Sequence, residues 1–378
     1  MRPVLLALGG LSATAVAVGI GRFVYTPILP LMVEDLGMTK SAAGLLASAN
    51  FAGYLVGALA AALPGLPGSR RRWLIAALIA SALTTAAMAV PSSIAAFLLL
   101  RFVGGVASAF GLVFSSALVL DRLSALRRPR LAALHFAGVG TGVAIDAVLA
   151  AALSPRGWRA LWLAAGLVSM VAVAVVAAAI PDRSGAAAAP SPARGARAPL
   201  ASLVVAYGLF GFGYIITATF LVAIVRGAPE VRAIEPVVWL VVGLTAAPSV
   251  AVWTMIESRF GINRAFALAC ALEAIGVAAS GLWIDRLGIL LAAALLGATF
   301  MGITALGLIW GRRLAQGDPR SILAMLTAAF GVGQIIAPAL AGVVFDATAS
   351  FVLPSVIASA ALLVAAILAV RRDAEAVA

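Results

Sequence analysis

The sequence predicts an all-α membrane protein, with twelve transmembrane helices forming two pseudo-symmetric six-helix bundles. Three observations predict it. Charged residues make up 11% of the 378 and hydrophobic residues 64%, whereas a soluble globular chain carries roughly 25% charged residues. The apolar residues fall into twelve runs separated by polar breaks, each long enough to cross a bilayer as a helix. Finally, glycine-centred motifs of the first half recur in the second at a nearly constant offset.

The runs cover residues 4–32, 42–63, 73–90, 94–120, 131–153, 160–180, 199–225, 236–256, 265–284, 287–310, 321–345 and 350–370. Arg2 and the apolar opening resemble a secretory leader. The run continues without a polar break to Arg22, past the roughly 7–15 residue core of such a leader, so it is expected to stay as the first span. Most breaks are short. Only 181–198, rich in Pro, Ala and Gly and carrying Arg183, Arg194 and Arg197, reads as a linker. The expected organisation is an N-terminal bundle over 1–180, the linker, and a C-terminal bundle over 199–378.

The 26 basic residues set the expected orientation. Eighteen flank one side of the spans, among them Arg70–Arg72, Arg122, Arg127, Arg128, Arg130, Arg312, Arg313 and the three linker arginines. Six flank the other side: Lys40, Arg156, Arg159, Arg226, Arg232 and Arg286. Arg22 and Arg101 lie inside spans. The bias places both termini and the linker in the cytoplasm of a bacterial inner membrane. The net charge of +12 is thus spread over span ends rather than gathered on one polar face, and no nucleic-acid partner is expected. With Cys270 the lone cysteine, an internal disulfide or a cysteine-based metal site is excluded.

Gly19-Ile20-Gly21 matches Gly211-Phe212-Gly213 at an offset of 192, which sets Arg22 opposite Tyr214 and Tyr25 opposite Thr217. Gly138-Val139-Gly140 matches Gly331-Val332-Gly333 at 193, and Arg72 matches Arg264 at 192. Two six-span halves of equal topology are related by an axis along the membrane normal, an architecture of secondary transporters.

These residues resemble the major facilitator superfamily. Ser258-Arg259-Phe260-Gly261 is similar to that family's Asp-Arg-x-Gly loop, with serine for aspartate, and its counterpart at Gly65–Arg72 keeps the glycines and basic run but also lacks the aspartate. Arg101–Ala109 resembles the fourth-span motif, with Gly104 where glutamine is frequent. Gly19–Pro30, Leu46–Phe51, His135–Gly140 and Thr299–Leu306 resemble the bacterial YbfB/YjiJ-type branch. The resemblance implies a central cavity lined by spans one, four, seven and ten, with spans two, five, eight and eleven forming the seam between halves.

Within that frame the chemistry-bearing residues are few. Arg22 sits in mid-span between paired glycines and the Tyr25, Thr26, Pro27 and Pro30 segment, whose prolines are expected to disturb the last turns of the helix. A buried arginine in a membrane needs a partner or a wet cavity. Arg22, Asn50, Arg101 and Asp146 all fall in the outer half of the first bundle, at depths of roughly 10–15 Å counted at 1.5 Å per residue. For Arg22 two roles fit: a fork for a carboxylate, or a structural cation satisfied by Asp146, Asn50 and freed carbonyls. The same choice holds for Arg101, with coupling or structure preferred. Asp146, the carboxylate deep in the first half, is expected to pair with Arg101 and to switch protonation, or to form a permanent ion pair. Glu273 and His135 are further proton-coupling candidates; a hydrogen bond between helices and a packing or gate contact are their plainer roles. Tyr25 and Asn50 offer polar contacts to a substrate, as do Tyr214, Thr217, Thr299, Thr304 and Gln334 of the second half, for each of which an interhelical hydrogen bond is the alternative. Gly53/Gly57 and Gly138/Gly142 have small-xxx-small spacing, expected at sliding surfaces between halves or, alternatively, in plain helix packing.

The chain carries no Gly-Lys-Ser/Thr phosphate loop and its lone lysine is Lys40, which excludes ATP-driven transport by this chain. No enzyme activity and no cofactor are expected. The expected function is alternating-access secondary transport of a small organic anion, coupled to protons, by a monomer. The alternatives are a proton-driven exporter of lipophilic compounds and a transporter-like sensor without flux.

Overall fold

Why the chain forms long helices follows from its apolar runs, and where they stop follows from their caps. The computed structural model describes residues 3–63, 66–128, 131–182, 197–315 and 320–375. Its long helices are α1 (Pro3–Leu36), α2 (Lys40–Ala61), α3 (Arg70–Ala87), α4 (Ile94–Ala125), α5 (Ala132–Leu153), α6 (Trp158–Ala179), α7 (Arg197–Gly227), α8 (Glu235–Phe260), α9 (Ile262–Leu282), α10 (Arg286–Leu314), α11 (Arg320–Thr348) and α12 (Val352–Glu375). Each overlaps one of the twelve runs. Eleven are long and apolar enough to cross a membrane; α3 falls short because its first turn is Arg70–Arg72. Side-chain caps mark several starts: Thr39 accepts from the Ala42 N–H, Ser69 from Arg72, Ser93 from Ala96 and Asp285 from Gly288. Helices α4 and α10 overrun their apolar runs and end in a solvated, basic turn, carrying Arg122 in one and Arg312 and Arg313 in the other. The linker residues 183–196 lie outside the described residues, as do Arg2 and Arg130; α7 already begins at Arg197.

Helix α1 departs from expectation in where it is irregular. Its disturbance lies at Ala15–Ile20, a π-helical stretch, and at a turn on Val24, while Tyr25–Leu36 is regular helix with Pro30 inside it. The reason is that a proline withholds its N–H from the carbonyl four residues earlier. Pro27 therefore weakens the turn at Phe23 and Val24, upstream of itself. Arg22 lies between the π-helical stretch and this break.

Two contacts join the first six helices to the last six along their length, α2 with α11 and α5 with α8. Both rest on glycine. A methyl on Gly44 would lie 2.1 Å from the Pro338 carbonyl oxygen, and one on Gly342 would lie 2.3 Å from that of Lys40. Likewise a methyl on Gly140 would lie 2.3 Å from the Ala247 nitrogen, and one on Gly243 would lie 2.5 Å from that of Ala144. The expected sliding glycines serve elsewhere. Gly53 and Gly57 pack against Phe102 and Val106 of α4, and Gly138 and Gly142 against Leu11 and Ala15 of α1, all within the first six helices. Spacing alone reports a tight contact without saying with which helix.

The internal repeat acquires a geometric meaning. The Thr26 hydroxyl donates to the Ala218 carbonyl at 2.6 Å, and these residues are 192 apart. Glu34 and Arg226, also 192 apart, form an ion pair at 3.3 Å. A residue can meet its own counterpart only near the axis relating the two, so α1 and α7 cross on that axis. Leu163, Leu167, Val171 and Leu244 are exposed on the outer faces of α6 and α8, as expected for surfaces against hydrocarbon.

Candidate functional site

Because α1 and α7 meet on the axis, the side chains just below that crossing come together from both sides. Arg22 is 6% exposed. Its guanidinium lies over the Tyr54 ring at 4.3 Å and the Phe51 ring at 4.9 Å, both on α2, and near its neighbour Phe23 at 5.7 Å. One N–H donates to Gln334 Oε1 of α11 at 3.2 Å, and Nε has no partner among the described residues. Gln334 in turn donates through Nε2 to the Tyr214 hydroxyl of α7 at 2.5 Å. Arg22 and its repeat counterpart Tyr214 are thus tied to one glutamine. The Tyr214 ring lies nearly parallel to Phe300 (5.8 Å, 10°) and Phe330 (5.9 Å, 9°), which fixes where its hydroxyl points.

Behind Arg22 stands a second group. Arg101 lies over the Tyr25 ring at 4.7 Å and donates to the carbonyls of Leu46 and Arg22, each at 3.4 Å. Asn50 donates to the Arg101 carbonyl at 2.9 Å, and the Tyr25 hydroxyl to the Ala43 carbonyl at 2.8 Å. These bonds tie α1, α2 and α4 together and hold the backbone that carries Arg22.

Asp146 does not join them. It is 1% exposed, and neither carboxyl oxygen has a hydrogen-bond partner among the described residues. The expected pair with Arg101 is therefore absent in this conformation. Depth matched, but the face did not. Gly138, Gly142 and Asp146 recur every four residues and so share one face of α5; Gly138 and Gly142 show that this face packs on α1. Arg101 spends its donors on carbonyls instead.

Five other candidates have partners other than Arg22. Thr299 donates to Glu273 from α10 to α9, leaving the second Glu273 oxygen without a partner among the described residues. Thr217 and Ser280 are hydrogen-bonded at 3.1 Å, from α7 to α9. His135 is fully buried, with Nε2 3.1 Å from the Ser116 hydroxyl of α4 and its carbonyl accepting from Thr14 of α1. Thr304 lines the apolar cavity described below; its hydroxyl donates to the Phe300 carbonyl, and its carbonyl accepts from Tyr207. Tyr54, Phe300 and Phe330 are absent from the sequence-level candidates because an aromatic residue in an apolar run reads as core. The signal for Tyr54 was its place four residues after Asn50, on the same face of α2.

The spaces around the site differ between the two ends of the bundle. Toward the basic end lies an apolar cavity of about 540 Å³ between α4, α5, α8 and α10, with Phe136, Met255, Met301 and Leu308 in its walls and the exposed Arg312 among its lining residues. Helices α1 and α7, expected to line it, do not, since they pack on each other at the axis. At the level of Arg22, Phe23, Tyr214, Trp239 and Phe300 surround a closed-down pocket with about 10 Å³ of accessible volume, room for one water at most. At the opposite end the helices are latched. Arg226 contacts both oxygens of Glu235 and one of Glu34, and Asp346 of α11 accepts from the backbone N–H groups of Lys40 (3.0 Å) and Ser41 (2.9 Å) at the start of α2.

A bundle closed by ionic contacts at one end and hollow at the other, with a repeat axis between, is transporter geometry, and the family comparison agrees. The family model described as the uncharacterised MFS-type transporter YbfB matches residues 14–370. The chain belongs to that family. As a member of it, this is a multi-pass membrane transporter. A gallate transporter from Pseudomonas putida is 27% identical over 144 residues, which is 38% of this chain and 32% of that protein; the match thus spans about a third of the relative's length. Among solved structures, a point mutant of the nucleoside transporter NupG superposes with a TM-score of 0.74 at 13% identity, covering 97% of this chain and 99% of that one. A second NupG structure gives 0.69 at 14% identity, covering 98% and 99%. At such identities the likeness concerns the fold.

Proposed function

We propose that this transporter is a secondary active carrier of a small organic anion, moved with protons across the bacterial inner membrane. Residues 1–180 rock against 199–378 about the linker 181–198, with both termini and the basic end in the cytoplasm. In that orientation the described conformation is open inward and latched outward.

The observation that carries the reading is Arg22. A guanidinium has five N–H donors, yet this buried one makes a single hydrogen bond, to a neutral amide, among the described residues. Stacking on Tyr54 and Phe51 holds the fork in place without using its donors. An anion arriving between α1 and α11 supplies the missing acceptors. That the partly matching relative is a transporter of gallate, an organic anion, supports the same class. Asp146 and Glu273 are the proton-coupling candidates, because each keeps a buried carboxyl oxygen without a hydrogen-bond partner among the described residues.

The apolar cavity favours a second reading, export of a lipophilic compound, since its walls are almost wholly hydrocarbon. A thermal-shift screen of the purified protein against small carboxylates and lipophilic cations separates the two. Stabilisation by carboxylates alone is expected; stabilisation by lipophilic cations alone transfers the function to the second reading.

A further inference from the structure

We infer that the transported anion is a planar aromatic carboxylate, with its ring seated between Phe23, Tyr214, Trp239 and Phe300 and its carboxylate on Arg22. This rests on the anion reading of Arg22 and narrows it.

Phe23 follows Arg22 in the chain, and its ring lies 5.7 Å from the guanidinium carbon. Tyr214 is joined to Arg22 through Gln334. Phe23 meets Phe300 edge-on at 5.7 Å (74°) and Trp239 at 6.5 Å (58°). Aromatic rings therefore form half of the pocket's wall, beside a buried guanidinium with unused donors. Such walls offer faces and edges of opposite sign, which favour another ring over a saturated group of equal size.

The pocket also chooses against other anions. A dicarboxylate needs a second cation, and the nearest one, Arg101, is already committed to two carbonyls and the Tyr25 ring. A sugar acid needs many polar partners, whereas the pocket's accessible surface is apolar.

The pocket is nearly closed in this conformation, and its walls explain how it opens. Phe23 and Val143 come from α1 and α5, while Tyr214, Trp239 and Phe300 come from α7, α8 and α10. Any rocking of the first six helices against the last six separates the two walls. The ring site would then open and close with the transport cycle, while Arg22 stays fixed on its own wall.

The test uses the intact protein in liposomes with radiolabelled benzoate as probe and unlabelled competitors. Cyclohexanecarboxylate keeps the charge and size but has no π face; benzamide keeps the ring without the charge. Wild type is expected to bind benzoate roughly tenfold or more tighter than cyclohexanecarboxylate, the size of one or two good ring contacts, and to ignore benzamide. Phe300→Leu should level the two acids while still binding both. Arg22→Ala should lose both. Equal affinity of wild type for the two acids overturns the aromatic assignment and leaves the anion reading standing. Absence of binding by either acid, or undiminished binding in Arg22→Ala, overturns the anion reading and this inference with it. Should Phe300→Leu fail to fold, judged by size exclusion and helical circular dichroism, the wild-type comparison decides alone.

Discussion

Replacing Arg22 separates its two possible roles, and the structure indicates by how much. In the bound state a carboxylate would accept from two arms of the guanidinium, in a setting where charge-assisted bonds contribute about 1.5–3 kcal/mol each. The stacking on Tyr54 and Phe51 is present with or without ligand and cancels from the comparison. The single bond to Gln334 is given up on binding and offsets part of the gain. A net loss of about 3 kcal/mol in Arg22→Ala corresponds to roughly 100-fold weaker binding. Arg22→Lys keeps the charge but replaces a planar fork with a point charge, so about tenfold is expected. The assay is equilibrium binding of the carboxylate giving the largest thermal shift, measured on protein in detergent and paired with a melting curve for each variant. A lower melting temperature with unchanged affinity would refute the reasoning, because it makes Arg22 a packing residue.

Four further outcomes follow from other parts of the structure. A cysteine at position 188 on a Cys270→Ala background should be labelled from the cytoplasm; labelling only from the periplasm would invert the proposed topology. Arg226→Ala removes the contacts to Glu34 and Glu235, a partly exposed network worth about 1 kcal/mol, so labelling of a cysteine at Ala218 from the periplasm should rise by roughly fivefold. Unchanged labelling would mean the ion pairs do not hold that end shut. Gly243→Leu should cut transport and lower the melting temperature, since its first carbon would meet the Ala144 nitrogen at 2.5 Å and push α5 from α8; wild-type transport in this variant would contradict a tight seam. Asp146→Asn should preserve counterflow but abolish accumulation driven by a pH gradient, and intact accumulation would move the coupling role to Glu273.

How much of this was legible in the sequence depends on whether a property is one-dimensional. Span number and helix ends were legible, because charged residues are costly inside hydrocarbon and so mark its borders. The axis was legible too: the 192-residue offset read from Gly19 and Gly211 reappears as the Thr26–Ala218 and Glu34–Arg226 contacts. Azimuth was not. Arg101 and Asp146 share a depth yet face different neighbours, and no single-span pattern reports the rotation of one helix against another. The same limit misassigned Gly53 and Gly138, whose partners lie within the first six helices, while Gly44 and Gly243 at the seam went unnoticed. Tyr54 was missed for a chemical reason: a ring that supports a cation and a ring that fills a core carry the same letter.

In the proposed function a buried, under-used guanidinium on α1 makes this transporter a carrier of anions. Substrate counterflow tests it most directly, because it needs neither a known coupling ion nor a known direction. Liposomes containing the protein are preloaded with an unlabelled carboxylate and diluted into the same compound at trace label, and the experiment is repeated with a lipophilic cation. Transient accumulation of the labelled carboxylate, lost in Arg22→Ala, is expected, and none of the cation. Counterflow of the cation with Arg22 intact or replaced, and none of any carboxylate, would contradict it.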